Sequence, residues 1–157
     1  MATLSVEELV KIVDARFAAL VLYARSWNCN AAEDIVQEAF LKLVDQKKSP
    51  DNPAAWLFKT VRNEAISRHR KAERQRKHET AAAKERPEWF KPNENTLISQ
   101  EAAEKLRELS QNHREVVVLR IWSQLSFDEI AELTATPKTS VHRLYHEALE
   151  ELRQKLE

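Results

Sequence analysis

LSFDEIAELTATPKTSVHRLYHEALEELR, residues 125 to 153, spells out a short helix, a turn and a second helix, with both starts marked. Ser126 and Glu129, three residues apart, form a capping box: hydroxyl and carboxylate each accept from an amide that the first helical turn leaves without a partner. Ile130 and Leu133 give that helix an apolar face. Thr134, Ala135 and Thr136 lead into Pro137, whose fixed φ and missing N–H suit the first position of a new helix. That second helix is expected to turn Val141, Leu144 or Tyr145, Ala148, Leu149 and Leu152 inward, at three- and four-residue steps. Its leading face carries Lys138, Thr139, Ser140, His142, Arg143 and His146, and the acids Glu147, Glu150, Glu151 and Glu157 all come later. Only the start of the helix suits a polyanion, as in a helix-turn-helix whose second helix enters the major groove by its N-terminal end. Any two amphipathic helices joined by a proline turn would share the apolar pattern. The one-sided charge is what favours DNA reading.

Working outward, 157 residues allow one domain or two small ones, since domains run from roughly 50 to 200 residues. Glycine is absent, although ordinary usage is roughly 7%. Tight primed-turn hairpins are therefore disfavoured, and no strand-like alternation is visible. The 25 basic and 25 acidic residues cancel, yet they are segregated. Residues 1–48 hold six basic against seven acidic, 49–86 ten against five, and 87–157 nine against thirteen. The lone cysteine, Cys29, permits no internal disulfide and points to a reducing compartment. No apolar run approaches the ~20 residues of a membrane span, and no signal-peptide segment follows Met1. A soluble, cytoplasmic protein with no membrane association is expected.

The fold class read from these patterns is all-α, with about seven helices. Ser5 and Glu8 form another capping box, opening a helix to about Trp27 with Leu9, Val13, Phe17, Leu20 and Val21 inward. Asn30 and Glu33 are expected to cap a second, with the stripe Ile35, Val36, Ala39, Phe40, Leu43 and Val44. Asn52-Pro53 starts a third, which runs to around Lys77. These three make a first domain, residues 1–77. Residues 78–95, with two prolines, mixed charge and no periodicity, read as a flexible linker. Helices from about Thr96 to Leu109, and from Asn112, with Glu115 as its box partner, to Trp122, precede the helix-turn-helix. These four make a second domain, residues 96–157.

The third helix carries the other informative charge pattern. From Lys59 to Lys77 eight basic residues stand against Glu64 and Glu73, enough to attract phosphate. On the same helix Trp56, Thr60, Asn63, Ser67 and Arg70 or Lys71 form a polar stripe with an aromatic end, suited to a single strand held by stacking and amide hydrogen bonds. Trp56 reads equally well as core. Chemistry of other kinds finds little support. His142 and His146 stand four apart as metal ligands can, but no cysteine is near and no glutamate follows His142. Cys29 has no histidine in the first domain's opening helices to activate it. No catalytic residue, metal or cofactor is expected, and the chain does not read as an enzyme.

Three stretches in order, AEDIVQEAFLKLV (32–44), NPAAWLFKTVRNEAISRHRK (52–71) and REVVVLRIWSQLSFDEIAELTATPKTSVHRLYHEALEELR (114–153), resemble the sigma-70 family of RNA polymerase sigma factors. More narrowly, they are similar to its small extracytoplasmic-function group, which keeps only the second and fourth sigma domains. The resemblance covers nearly the whole chain. It implies a sigma-2-like three-helix domain and a sigma-4-like four-helix domain. It also implies binding to the clamp helices of the largest subunit and to the flap of core RNA polymerase, with Asp34, Gln37, Glu38 and Leu41 as candidate contacts. These four share a face away from the Val36-Phe40-Val44 stripe. Trp56, Arg62, Asn63, Arg68 and Arg70 would then hold the opened strand of the promoter's minus-10 element, and a flipped base would sit at the end of this domain. Lys138, Thr139, Ser140, His142, Arg143 and His146 would read the minus-35 element. An anti-sigma factor is a further implied partner. The chain departs from the family pattern at Thr139-Ser140-Val141, where many members have Gly-Thr-Val, and at Leu144, where many have arginine. Ser123 and Ala135 stand where many have glycine, so a positive φ at 135 would strain the turn.

A rival from a different class is a two-domain helix-turn-helix regulator whose N-terminal half is an interaction or dimerisation module. The basic third helix discriminates, because such a module has no need of it.

Overall fold

Capping chemistry fixes most of the helix starts. In a computed structural model, which describes residues 3–27, 31–78 and 99–156, α1 (Val6–Arg25) opens on the expected box: the Glu8 amide donates to Ser5 Oγ over 3.1 Å and the Ser5 amide to Glu8 Oε2 over 3.4 Å. Helix α2 (Ala32–Val44) begins differently. Its cap position is Ala31, Asn30 lies outside the described residues, and Glu33 bonds Arg25 at 3.1 Å instead of closing a box. Helix α3 (Pro53–Arg76) starts as read, with Asn52 Oδ1 accepting from the Ala55 amide over 3.1 Å and Pro53 in the first turn. The three pack on one another, with the Phe17 and Phe40 rings stacked 6.3 Å apart. Val44 does not complete the inward stripe. It is 54% exposed, because the core side of α2 ends at Leu43.

In the second half, α4 (Gln100–Glu108) is capped by Ser99, so it begins later than Thr96, which lies outside the described residues, as does most of the expected linker. Helix α5 (Gln111–Val117) is capped by Ser110, not Asn112: the Ser110 hydroxyl accepts from the His113 amide over 3.4 Å. Moving the start back turns Glu115 inward, away from any box. A π-helical turn, Val118–Trp122, continues α5, then come α6 (Phe127–Thr134) and α7 (Lys138–Leu156). The Ser126–Glu129 box closes as expected, at 3.0 and 3.1 Å. Pro137 lies just outside α7, its carbonyl taking the first helical bond from the Val141 amide over 3.0 Å.

The turn between α6 and α7 is a Schellman motif. Thr136 N–H bonds Ala131 O over 3.1 Å and Ala135 N–H bonds Glu132 O over 3.4 Å. Ala135 sits at φ 53°, ψ 40°, the left-handed conformation that glycine takes most easily. Gln124 also has positive φ, 58°, while its neighbour Ser123 stays right-handed at −87°.

The two halves, each matching one of the expected helical domains, meet along one apolar core. Val118 and Leu119, fully buried, belong to the π-turn that packs on α1, and α3 packs on α6. Burial of this kind stabilises by roughly 25 cal/mol per Å² of apolar surface, so an apolar seam is favoured whenever the halves can meet.

Candidate polymerase and nucleic-acid interfaces

Helix α2 turns Ile35, Val36, Ala39, Phe40 and Leu43 into the core, which forces its other side outward. Asp34, Gln37, Glu38 and Leu41 are all exposed there, Leu41 at 66%. An apolar side chain ringed by acids and an amide is the composition of a protein-docking face. Glu38 reaches Arg68 of α3 at 3.6 Å, which ties this face to the basic helix.

Helix α3 buries Leu57, Phe58, Val61 and Ala65, and its basic residues fan out around that stripe. Arg62, Asn63, Ser67, His69, Arg70 and Arg74 line one open groove of about 910 Å³. The groove therefore brings together three of the five expected strand-holding residues. Arg68 stands apart, held by Glu64 at 3.0 Å. Trp56 is also elsewhere: half-buried, it lines a cavity of about 390 Å³ against α6 with Phe58, Leu125 and Leu133. Thr60 spends its hydroxyl on the Trp56 carbonyl at 2.9 Å, so the polar stripe is shorter than its spacing implied.

At the start of α7, Lys138, Thr139, Arg143 and His146 are exposed, and Ser140 and His142 are half-buried. Lys138 pairs with Asp128 at 3.0 Å and Arg143 with Glu147 at 3.4 Å. All four side chains are well exposed, and ion pairs of that kind contribute ~0–1 kcal/mol. Either cation can leave its acid for a phosphate at little cost. His142 is less free, its ring lying 4.0 Å from that of Phe127. The same stack orients the helix on α6. His113 Nε2 contacts Glu147 at 2.8 Å, which fixes α7 to α5 from the other side.

Residues that bridge the halves escaped the sequence reading. Arg114 is buried and donates to the carbonyls of Leu106, Arg107 and Leu109 and, across the seam, to Ser26 O at 3.0 Å. Burial, with Arg107 nearby, pulls its pKa down to about 10. Glu115 accepts from Tyr23 Oη at 3.2 Å and from Arg62 Nε and Nη2, both at 3.4 Å. Burial pushes its carboxyl above the ordinary value despite the arginine, and burial with the Glu115 charge raises the Tyr23 phenol well above its own. Lys59 Nζ caps the end of α6 through Leu133 O at 3.4 Å. A charged pair set directly before the apolar run Val116 to Leu119 was the available signal, since charge next to a core strip is buried only when partnered.

Among the described residues no cluster of histidine, cysteine or carboxylate is placed to hold a metal, and no helix is long and apolar enough to cross a membrane. The rings of His142 and His146 stack 6.4 Å apart.

Comparison with known proteins fits this geometry. Residues 15–75 match the sigma-70 region 2 family and residues 99–152 the sigma-70 region 4 family. The chain is 25% identical over 145 residues to the RNA polymerase sigma factor YlaC of Bacillus subtilis, covering 86% of this chain and 83% of that one. To SigV, another RNA polymerase sigma factor of Bacillus subtilis, it is 29% identical over 130 residues, covering 80% and 76%. The sigma factor RpoE of Bartonella quintana, solved in complex with the anti-sigma factor NepR, superposes with a TM-score of 0.77 at 25% identity, covering 96% of this chain and 98% of that one. The chain belongs to the sigma-70 family of RNA polymerase sigma factors, in its extracytoplasmic-function group.

Proposed function

We propose that this sigma factor, which binds core RNA polymerase and directs initiation at promoters, divides that work by helix. The domain of residues 1–77 docks on the clamp helices through Asp34, Gln37, Glu38 and Leu41 of α2. Asn63 and Arg70, with Arg62, hold the opened minus-10 strand in the α3 groove. Arg68, apart from the groove, takes a phosphate of the same strand in exchange for its acids, and Trp56 contributes from the helix start. The domain of residues 96–157 meets the flap and reads the minus-35 element through Lys138, Thr139, Ser140, Arg143 and His146, with His142 contributing from its stack on Phe127. The observation that carries this reading is the pairing of two exposed basic surfaces, on α3 and at the start of α7, with an acid-rimmed Leu41 on α2. A dimerising regulator has no use for the first of these.

Sigma factors act as initiation factors, and we propose no catalytic step for this chain. An anti-sigma factor is proposed as a further partner, because the similar RpoE was solved with one. The division of labour is tested by transcription on duplex and pre-melted templates. Lys138→Ala and Arg143→Ala should weaken minus-35 recognition, whereas Asn63→Ala should impair opening with duplex binding largely intact. Equal losses from all three on pre-melted templates would contradict it.

A further inference from the structure

Aromatic rings stack where α6 meets the start of α7. The His142 ring lies 4.0 Å from that of Phe127, tilted by 34°, and the His146 ring stacks on His142 at 6.4 Å and 20°. Tyr145 closes the group edge-on, 5.3 Å from Phe127 and 5.6 Å from His146. Two imidazoles are thus held side by side, His142 half-buried and His146 exposed, on the turns where the reading helix begins. Lys138 and Arg143 are the permanent cations of that face. An imidazole changes charge between about pH 5 and 8, so each protonated ring would add one more.

The surroundings oppose those added charges while the face is free. From the π-turn, the Arg120 guanidinium lies 4.7 Å from the Phe127 ring that carries His142. On α6, Asp128 is paired with Lys138 at 3.0 Å, Glu129 closes the capping box on Ser126, and Glu132 faces the Trp56 cavity. On α7, Glu147 is shared by Arg143 at 3.4 Å and by His113 of α5 at 2.8 Å, and Glu151 also faces His113, at 3.7 Å. Glu150, one turn beyond His146, is held by Arg153 at 2.7 Å. Each of these acids is engaged elsewhere. A proton on either ring therefore meets Lys138, Arg143, Arg120 and the other ring without a carboxylate of its own.

Resting on the proposed reading, in which the start of α7 lies on the minus-35 duplex, we propose that His142 and His146 form a proton-gated phosphate site: neutral in the free reader, they take up protons as the DNA backbone arrives and donate to its phosphate oxygens. The backbone supplies the countercharge that the protein withholds, and an imidazolium–phosphate hydrogen bond is charge-assisted on both sides. Phe127 is the positioning residue, since its ring fixes the plane of His142. Promoter affinity then depends on pH, which neither Lys138 nor Arg143 could bring about. Because the complex holds the protons more tightly than the free reader does, the gain is complete at low pH and is lost as pH rises through the range in which the complex releases them. A proton retained about one pH unit further than in the free reader tightens binding about tenfold.

The test uses the holoenzyme, full chain with core polymerase, on a fluorescent promoter duplex that it selects from a random library. Between about pH 8 and about pH 5.5 the wild type should tighten about tenfold, and the slope of log K against log salt should steepen by about 0.9 for each added cation. His142→Gln with His146→Gln should remove that rise. His146→Arg supplies a permanent charge at an exposed position. It should tighten binding at about pH 8 by roughly tenfold and shrink the rise on acidification. No rise in the wild type, a rise that survives the double glutamine substitution, or unchanged binding by His146→Arg at about pH 8 each overturns the proposal. These outcomes leave the minus-35 reading standing where Lys138→Ala and Arg143→Ala weaken promoter binding at that pH. If those two substitutions also change nothing, the reading of α7 falls with the proposal. His146→Arg leaves the Phe127 stack untouched, so a His142 variant that fails to fold does not remove the test.

Discussion

Ala135→Gly should stabilise this protein, against the usual direction of such a change. At φ 53° and ψ 40° the alanine Cβ crowds the following carbonyl, at a cost of roughly 1–2 kcal/mol relative to a right-handed residue. Glycine removes that crowding and loses about 0.4–1 kcal/mol through the greater freedom of the unfolded chain. The balance is a gain of about 0.5–1 kcal/mol, or roughly 2 °C in Tm for a chain of this length. Ala15→Gly, at an exposed right-handed position inside α1, supplies the opposite sign and should lose about 1 kcal/mol. Helical circular dichroism followed through heat and urea, with unchanged m-values, reads both. The Schellman bonds are backbone bonds, so α7 should keep its angle to α6 and its DNA affinity. If Ala135→Gly lowers Tm as Ala15→Gly does, the turn is not strained and the reasoning fails.

Ser126→Ala removes the hydroxyl from the capping box and should cost about 1 kcal/mol in urea unfolding; a loss under a few tenths would mean that the box is not needed to start α6. Arg143→Ala should weaken duplex binding and make the slope of log K against log salt shallower by about 0.9 if the residue neutralises one phosphate; an unchanged slope removes it from the phosphate set. Glu115 binds its proton more tightly folded than unfolded, so its contribution to stability is present at low pH and lost as pH rises through the ordinary 4.5 toward the raised folded value. The Tm of Glu115→Gln relative to wild type should therefore shift upward between pH 4 and pH 7, and a downward shift would show that the Arg62 pair outweighs burial.

Much of the fold was legible because its signals are local. Ser5 with Glu8, Ser126 with Glu129, and Asn52 with Pro53 each satisfy amides within one turn, so nearby residues suffice to place the start. Where competing caps lie close together, reading fails: Ser110 and Asn112 both qualify, and the choice depended on whether Glu115 was wanted at the surface or at the seam. That was a tertiary question, answered by Tyr23 and Arg62 from far along the chain. The shared core escaped for a like reason. Val117, Val118 and Leu119 read as apolar whichever domain covers them, and nothing in their spacing says that α1 does. Of the candidate site residues, the α2 face and the start of α7 follow from helical period, since burying one side exposes the other. The α3 stripe was less legible. Thr60 bonds back to its own helix and Trp56 is drawn to the α6 cavity, both through contacts that period alone does not encode.

Transcription in vitro with the purified chain and core polymerase, on a library of random promoters, tests the central claim most directly. The account predicts initiation that depends on the chain, from templates enriched in two separate sequence blocks, one for each reader. Tight binding of duplex operators by a dimer, with no transcription and no association with polymerase, would contradict it.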